Sequence, residues 1–126
     1  MDLLNDALVA IKNAERVGKK SCKVRHSKLV ERVLEVMKEN GYIENFEVKS
    51  EKNKQFLEIK LKHAIIDCNA IKPRFSVKKD EFEKWERRFL PRREYGLLIL
   101  TTSKGILTHK KAKELGIGGK LLCYVY

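Results

Sequence analysis

Apolar residues recur at helical spacing near the start of the chain. Leu4, Leu8 and Ile11 form one stripe, flanked by Leu3, Ala7, Ala10 and Ala14, which predicts an amphipathic helix over residues 2–16. Gly18-Lys19-Lys20 breaks it. Residues 21–25 then alternate Cys22 and Val24 with Lys23 and Arg25, the period of a short strand. Ser27 suits the N-cap of a second helix running to about Glu39. Leu29, Val33 and Met37, with Val30 and Leu34, make its apolar face, and Asn40-Gly41 suits its stop. Phe46 and Val48 alternate with charges, and Glu51-Lys52-Asn53-Lys54 is a turn. Leu57, Ile59 and Leu61 alternate with Glu58, Lys60 and Lys62, as in a half-buried antiparallel strand. The order is helix, strand, helix, strand, strand. The helices are expected on one sheet face and the charged alternates on the other.

The second half has a different rhythm. His63 to Ala70 lacks periodicity and is read as a linker, and Ile71 to Val77 is read as extended because the residue before Pro73 avoids the helical region. Asp80 and Glu83 match a capping box that would open a helix to Leu90, ending at Pro91. Phe82, Trp85 and Phe89 share one face, read as packing surface, with Glu86, Arg87 and Arg88 on the outer face. Leu97 to Leu100 is an unbroken apolar run, the mark of a strand buried on both faces. The polar cluster Thr101-Thr102-Ser103-Lys104-Gly105 is expected to leave that strand. Thr108 suits the cap of a short helix from His109 to Leu115, stopped at Gly116. Gly118-Gly119 precedes a last strand from Leu121 to Tyr126. The fold class expected is therefore α+β, as two small packed α/β subdomains. Residues 1–66 would have the order α-β-α-β-β, and residues 67–126 would form a mostly antiparallel sheet with short helices.

Composition narrows the function. In 126 residues, 43% hydrophobic, there is enough apolar material for a core. The net charge is +11, and it is unevenly spread: 14 basic against 10 acidic side chains over residues 1–66, and 14 against 7 over residues 67–126. Such an excess attracts polyanions, most strongly to the C-terminal half. Cys22, Cys68 and Cys123 are odd in number and widely spaced, which argues against a zinc site or a disulfide framework and for a reducing, cytoplasmic setting. His26, His63 and His109 lack ligand spacing, so no metal or other cofactor is expected. No apolar run is long enough to span a membrane, so no membrane partner is expected.

Enzymatic constellations are missing too. Thr102-Ser103-Lys104-Gly105 lacks the order of a phosphate-binding loop, because its lysine precedes its glycine. Gly116-Ile117-Gly118-Gly119 follows a helix and precedes a strand, the reverse of a dinucleotide fingerprint. Ser103 beside Lys104 has no third group to orient a base. No enzyme activity and no small-molecule substrate are expected. The hydroxyls of Thr101, Thr102 and Ser103 could satisfy a local turn. They could equally let a backbone approach the wide, shallow minor groove of an RNA helix, whose 2′-hydroxyls both donate and accept.

Several stretches are familiar in combination. Thr102-Ser103-Lys104-Gly105-Ile106-Leu107-Thr108-His109 and the terminal Gly118-Gly119-Lys120-Leu121-Leu122-Cys123-Tyr124-Val125-Tyr126 resemble the ribosomal protein S8 family. So do Asp2-Leu3-Leu4-Asn5-Asp6-Ala7-Leu8, Ile11-Lys12-Asn13-Ala14 and Ser27-Lys28-Leu29. Pro73-Arg74-Phe75, Phe82-Glu83-Lys84-Trp85 and Leu90-Pro91 are similar to its archaeal and eukaryotic branch.

The resemblance implies a structural constituent of the small ribosomal subunit, in the cytoplasm. It implies early binding to a distorted stem in the central domain of small-subunit rRNA, with neighbouring ribosomal proteins as further partners. Carried onto this chain, the main contacts would be Thr101, Thr102, Ser103 and Lys104, with Gly105, Gly118 and Gly119 sparing room for the sugar-phosphate backbone. Asn5, Lys12, Asn13 and Arg16, together with Ser27 and Lys28, would touch phosphates. A competing reading is a basic protein-docking module using Arg87, Arg88, Arg92 and Arg93.

Overall fold

The computed structural model describes residues 3–92 and 95–126. Asp2, the first residue of the expected opening helix, and Arg93 of the docking reading lie outside them. The chain divides into two compact units, Met1–Asp67 and Cys68–Tyr126, and its class is α+β.

The first unit contains α1 (Leu3–Arg16), β1 (Ser21–Arg25), α2 (Lys28–Glu39), β2 (Ile43–Glu51) and β3 (Lys54–Leu61). Its sheet is antiparallel with order β1-β3-β2. Cys22 lies opposite Ile59 and Val24 opposite Leu57, so these apolar positions share the face that the helices cover. Leu4, Leu8 and Ile11 of α1 and Val30, Val33, Leu34 and Met37 of α2 are buried. The opposite face carries charges in pairs: Lys23 Nζ is 2.6 Å from Glu51 Oε2, and Lys49 Nζ is 2.9 Å from Glu58 Oε2. Ser27 does occupy the N-cap of α2, but its side chain makes no capping bond.

The second unit contains β4 (Cys68–Ala70), β5 (Ser76–Val77), α3 (Phe82–Phe89), β6 (Leu97–Thr102), β7 (Gly105–Thr108), α4 (His109–Leu115) and β8 (Gly119–Val125). The sheet runs β4-β8-β6-β7, with β5 also on β8, and every pairing is antiparallel. Leu97 to Leu100 are all buried. Leu98, Leu100 and Leu121 pack in one core with Ile71, Val77, Phe82, Trp85, Leu90 and Ala112. The aromatic stripe of α3 is thus packing surface.

Four expectations need correction. The stretch read as a linker contains β4, whose three residues pair with Val125, Tyr124 and Cys123. The capping box at Asp80 does not form: the N-cap is Glu81, without a side-chain bond. Glu86 is not on the outer face of α3 but buried, at 8% exposure. The strand that starts at Leu97 includes Thr101 and Thr102, and Gly105 to Thr108 form a further strand.

The helix expected from Thr108 is present as read. Thr108 Oγ1 accepts a hydrogen bond from Lys111 N–H at 3.1 Å, and Gly116 ends the helix at φ 68°, ψ 35°. Among the cysteines, Cys68 and Cys123 are buried and Cys22 is half-buried, all three as free thiols. Burial, aided by Glu15 and opposed by Lys19, pushes the Cys22 thiol up to about 11.

Candidate nucleic-acid interface

Strands β6 and β7 form a tight hairpin. Thr102 pairs with Gly105, leaving Ser103 and Lys104 as the tip. The hydroxyl of Thr102 locks this turn: Oγ1 donates to Gly105 O at 2.8 Å and accepts from Lys104 N–H at 3.1 Å. Gly105 closes it at φ 105°, a conformation that side-chain-bearing residues avoid. One of the three hydroxyls therefore works inside the loop. Those of Thr101 and Ser103 are the ones left to meet a ligand.

Strand alternation separates the two threonines. Thr101 points away from the face that holds Leu98 and Leu100, and Thr102 lies on it. Register then places other residues beside Thr101. It is opposite Ile106 on β7 and Lys120 on β8, and Lys120 is in turn opposite Ser76 on β5. Ser76, Lys120, Thr101 and Ile106 thus form one cross-strand row. Ser103, Lys104, Lys120 and Ser76 are exposed, and Thr101 is half-buried. The arrangement sets the hydroxyls of Ser76 and Thr101 on either side of Lys120, with Ser103 and Lys104 at the adjoining tip. Ser76 and Lys120 were not singled out in the sequence, because only the pairing of β8 with β6 and with the two-residue β5 brings them here.

The two adjacent glycines have a role within the fold. A Cβ on Gly119 would lie 2.2 Å from Thr101 O and 3.0 Å from Thr102 Cγ2, and one on Gly118 would lie 2.1 Å from Val77 O. Side chains at either position would wedge β8 away from β6 or β5.

Behind this edge is a buried polar cluster. His109, with no exposed surface, accepts Leu98 N–H on Nδ1 at 3.0 Å, just beyond the last β6–β7 pair, Ile99 with Thr108. With Nδ1 accepting, the ring proton sits on Nε2. Nε2 is 2.8 Å from Glu86 Oε1, a close approach that is not aligned as a hydrogen bond. Lys113 Nζ donates to both Glu86 oxygens at 3.0 Å. Burial holds the imidazole below its ordinary range. The Lys113 ammonium adds to that effect, and the Glu86 carboxylate opposes it. The cluster ties α3, α4 and β6 together beneath the hairpin.

In the first unit, Asn5, Lys12 and Arg16 fall on one stripe of α1, as their spacing predicts. Lys12 is drawn into an internal ion pair, with Nζ 2.7 Å from Asp67 Oδ1. Asn13 and Arg16 are exposed, and Asn13 lines an open concavity with Lys19, Ser21 and Lys23. Lys28, the first residue of α2, is exposed beside the half-buried Ser27.

The arginines of the docking reading are engaged locally. The Arg88 guanidinium sits 4.9, 5.5 and 5.3 Å from the ring centres of Phe75, Trp85 and Phe89. Arg87 Nη2 is 3.4 Å from Glu83 Oε1, and Arg92 lies 5.1 Å over the Tyr95 ring. Among the described residues, no group of three or more His, Cys, Asp or Glu side chains could hold a metal ion.

The sequence pattern described as Ribosomal protein S8 matches residues 2–126. The chain is 47% identical to the small ribosomal subunit protein uS8 of Archaeoglobus fulgidus over 128 residues, covering 100% of this chain and 98% of that protein. It is 49% identical over 127 residues to the protein of the same description from Methanococcoides burtonii, again covering 100% and 98%. The corresponding protein of Halorubrum lacusprofundi is 47% identical over 126 residues, covering 99% and 97%. All three relatives are archaeal, in keeping with the branch suggested by Pro73 to Pro91. With end-to-end likeness to these proteins, the chain belongs to the ribosomal protein S8 family, structural proteins of the small ribosomal subunit and not enzymes.

Proposed function

We propose that this chain is a primary rRNA-binding protein that grips a distorted stem in the central domain of small-subunit rRNA and supports its assembly. The observation that carries this reading is the edge at the β6–β7 tip. Short hydroxyls there let the backbone come close to a minor groove, while Lys104 and Lys120 stand ready for phosphates. Asn13, Arg16, Ser27 and Lys28 of the first unit serve as further backbone contacts. Binding of this kind reads shape and a few base edges and needs no cofactor.

Filter binding to a transcript of the central domain tests the assignment. Ser103→Ala should weaken binding by about 1–3 kcal/mol, since its RNA partner would be left buried and unpaired. An unchanged affinity would remove the tip from the interface. Lys104→Ala should lower the slope of log affinity against log salt by roughly one unit, the signature of one lost phosphate contact. A slope equal to that of the parent would deny Lys104 a phosphate.

A further inference from the structure

We infer that the far end of the first unit's sheet holds a second RNA-backbone cradle, in which Arg25, Lys52 and Lys54 clasp phosphates around an open concavity. This inference rests on the RNA-binding reading above and extends it to residues outside the edge already assigned.

The geometry begins with the β2–β3 turn. Glu51 pairs with Lys54, so the loop is the two residues Lys52 and Asn53, both left-handed at φ 47° and φ 66°. That is the two-residue turn for which asparagine and glycine are the usual choices. A lysine held there is strained, and it projects a cation from the tip. Register brings two more cations alongside. Arg25 ends β1 opposite Phe56, and Lys54 lies two residues along β3 from Phe56, so both point to the same face. The backbone bond from His26 N–H to Gln55 O, 3.2 Å, fastens the end of β1 to this part of β3.

The electrostatics favour a polyanion. The nearby carboxylates are engaged elsewhere: Glu51 holds Lys23 at 2.6 Å, and Glu31 holds His26 at 3.2 Å. Among the described residues none of Arg25, Lys52 and Lys54 forms an ion pair. Between them lies a concavity of about 720 Å³ whose other lining groups include His26, Asn53 and Gln55, with no carboxylate and no aliphatic side chain. A wet hollow with three unopposed cations and neutral amide donors suits a chain of phosphodiesters. It offers no apolar anchor for a hydrophobic segment.

The test is the salt dependence of binding to the central-domain transcript. The triple variant Arg25→Gln, Lys52→Gln, Lys54→Gln should lower the log–log slope by about two to three units, one for each phosphate released. A control with the same charge change on exposed lysines of the same unit, Lys38→Gln, Lys60→Gln, Lys62→Gln, should keep the slope within about half a unit of the parent. A parental slope in the first variant overturns the cradle. So does an equal fall in both variants, which would mean diffuse charge attraction. Ser103→Ala run alongside separates the two proposals. If it weakens binding while the triple variant does not, the hairpin edge stands and the cradle falls. If the parent protein does not prefer the transcript to unrelated RNA, the underlying RNA-binding reading fails.

Discussion

Replacing Gly119 with alanine should destabilise the protein by about 3 kcal/mol or more, near the upper end of overpacking losses. The added methyl would stand 2.2 Å from Thr101 O. That oxygen belongs to a paired strand, Thr101 lying opposite Lys120 on β8, so it cannot move aside as a side-chain tip could. Relief requires β8 to lift from β6, which breaks the ladder that presents the hydroxyl row. Gly105→Ala is the informative contrast. A Cβ there meets nothing within 4 Å, and only its φ of 105° resists substitution, so a loss of about 1–2 kcal/mol is expected. Urea unfolding of both variants checks the pair. Equal, small losses would show that the close approach of β8 to β6 is not tight. Weaker RNA binding by a Gly119 variant would follow from the displaced strand alone, and for that reason Ser103 is the better probe of the interface.

The second large effect concerns His109. His109→Ala should cost about 3 kcal/mol, because it leaves a cavity in a fully buried site and strips Leu98 N–H of its acceptor. The same residue makes stability depend on pH, lowering it on acidification. Burial holds the folded imidazole below its ordinary value of 6.5. As pH falls through about 6.5, the unfolded chain takes up a proton that the folded chain refuses, so stability drops. The loss grows until the folded ring also protonates, and its slope cannot exceed about 1.4 kcal/mol per pH unit, the value for one proton. His109→Gln should remove this component between pH 7 and 5.5. Stability that instead rose on acidification would mean that the Glu86 carboxylate outweighs burial.

Much of the architecture was legible because its signals are local. The 14 residues of α1 and the 12 of α2 carry a long apolar period, and Thr108 caps α4 through a bond only three residues away. What stayed hidden was either short or long-range. Strand β4 has three residues, too few to show alternation, and β5 has two, within a stretch read only as extended; the pairing of both with β8 was out of sight. Glu86 looked solvent-facing beside Arg87 and Arg88. Its partner Lys113 lies 27 residues further on, beyond the reach of helix periodicity. The candidate interface was half legible for the same reason. Thr101, Ser103 and Lys104 lie within one four-residue stretch, but Ser76 and Lys120 join them only through sheet register. The likeness to the S8 family pointed to the loop. It did not distinguish Thr102, which fastens the turn, from its neighbours, which face outward.

The state of the thiols has a practical outcome for spectroscopy. With Cys68 and Cys123 enclosed and the Cys22 thiol displaced to about 11, only about one Cys22 in ten thousand carries the reactive thiolate at neutral pH. A maleimide dye would therefore pass over the native sulfurs and choose an engineered cysteine on either hairpin tip. Fluorescent reporters of ribosome assembly can be attached to this protein without first stripping its own cysteines.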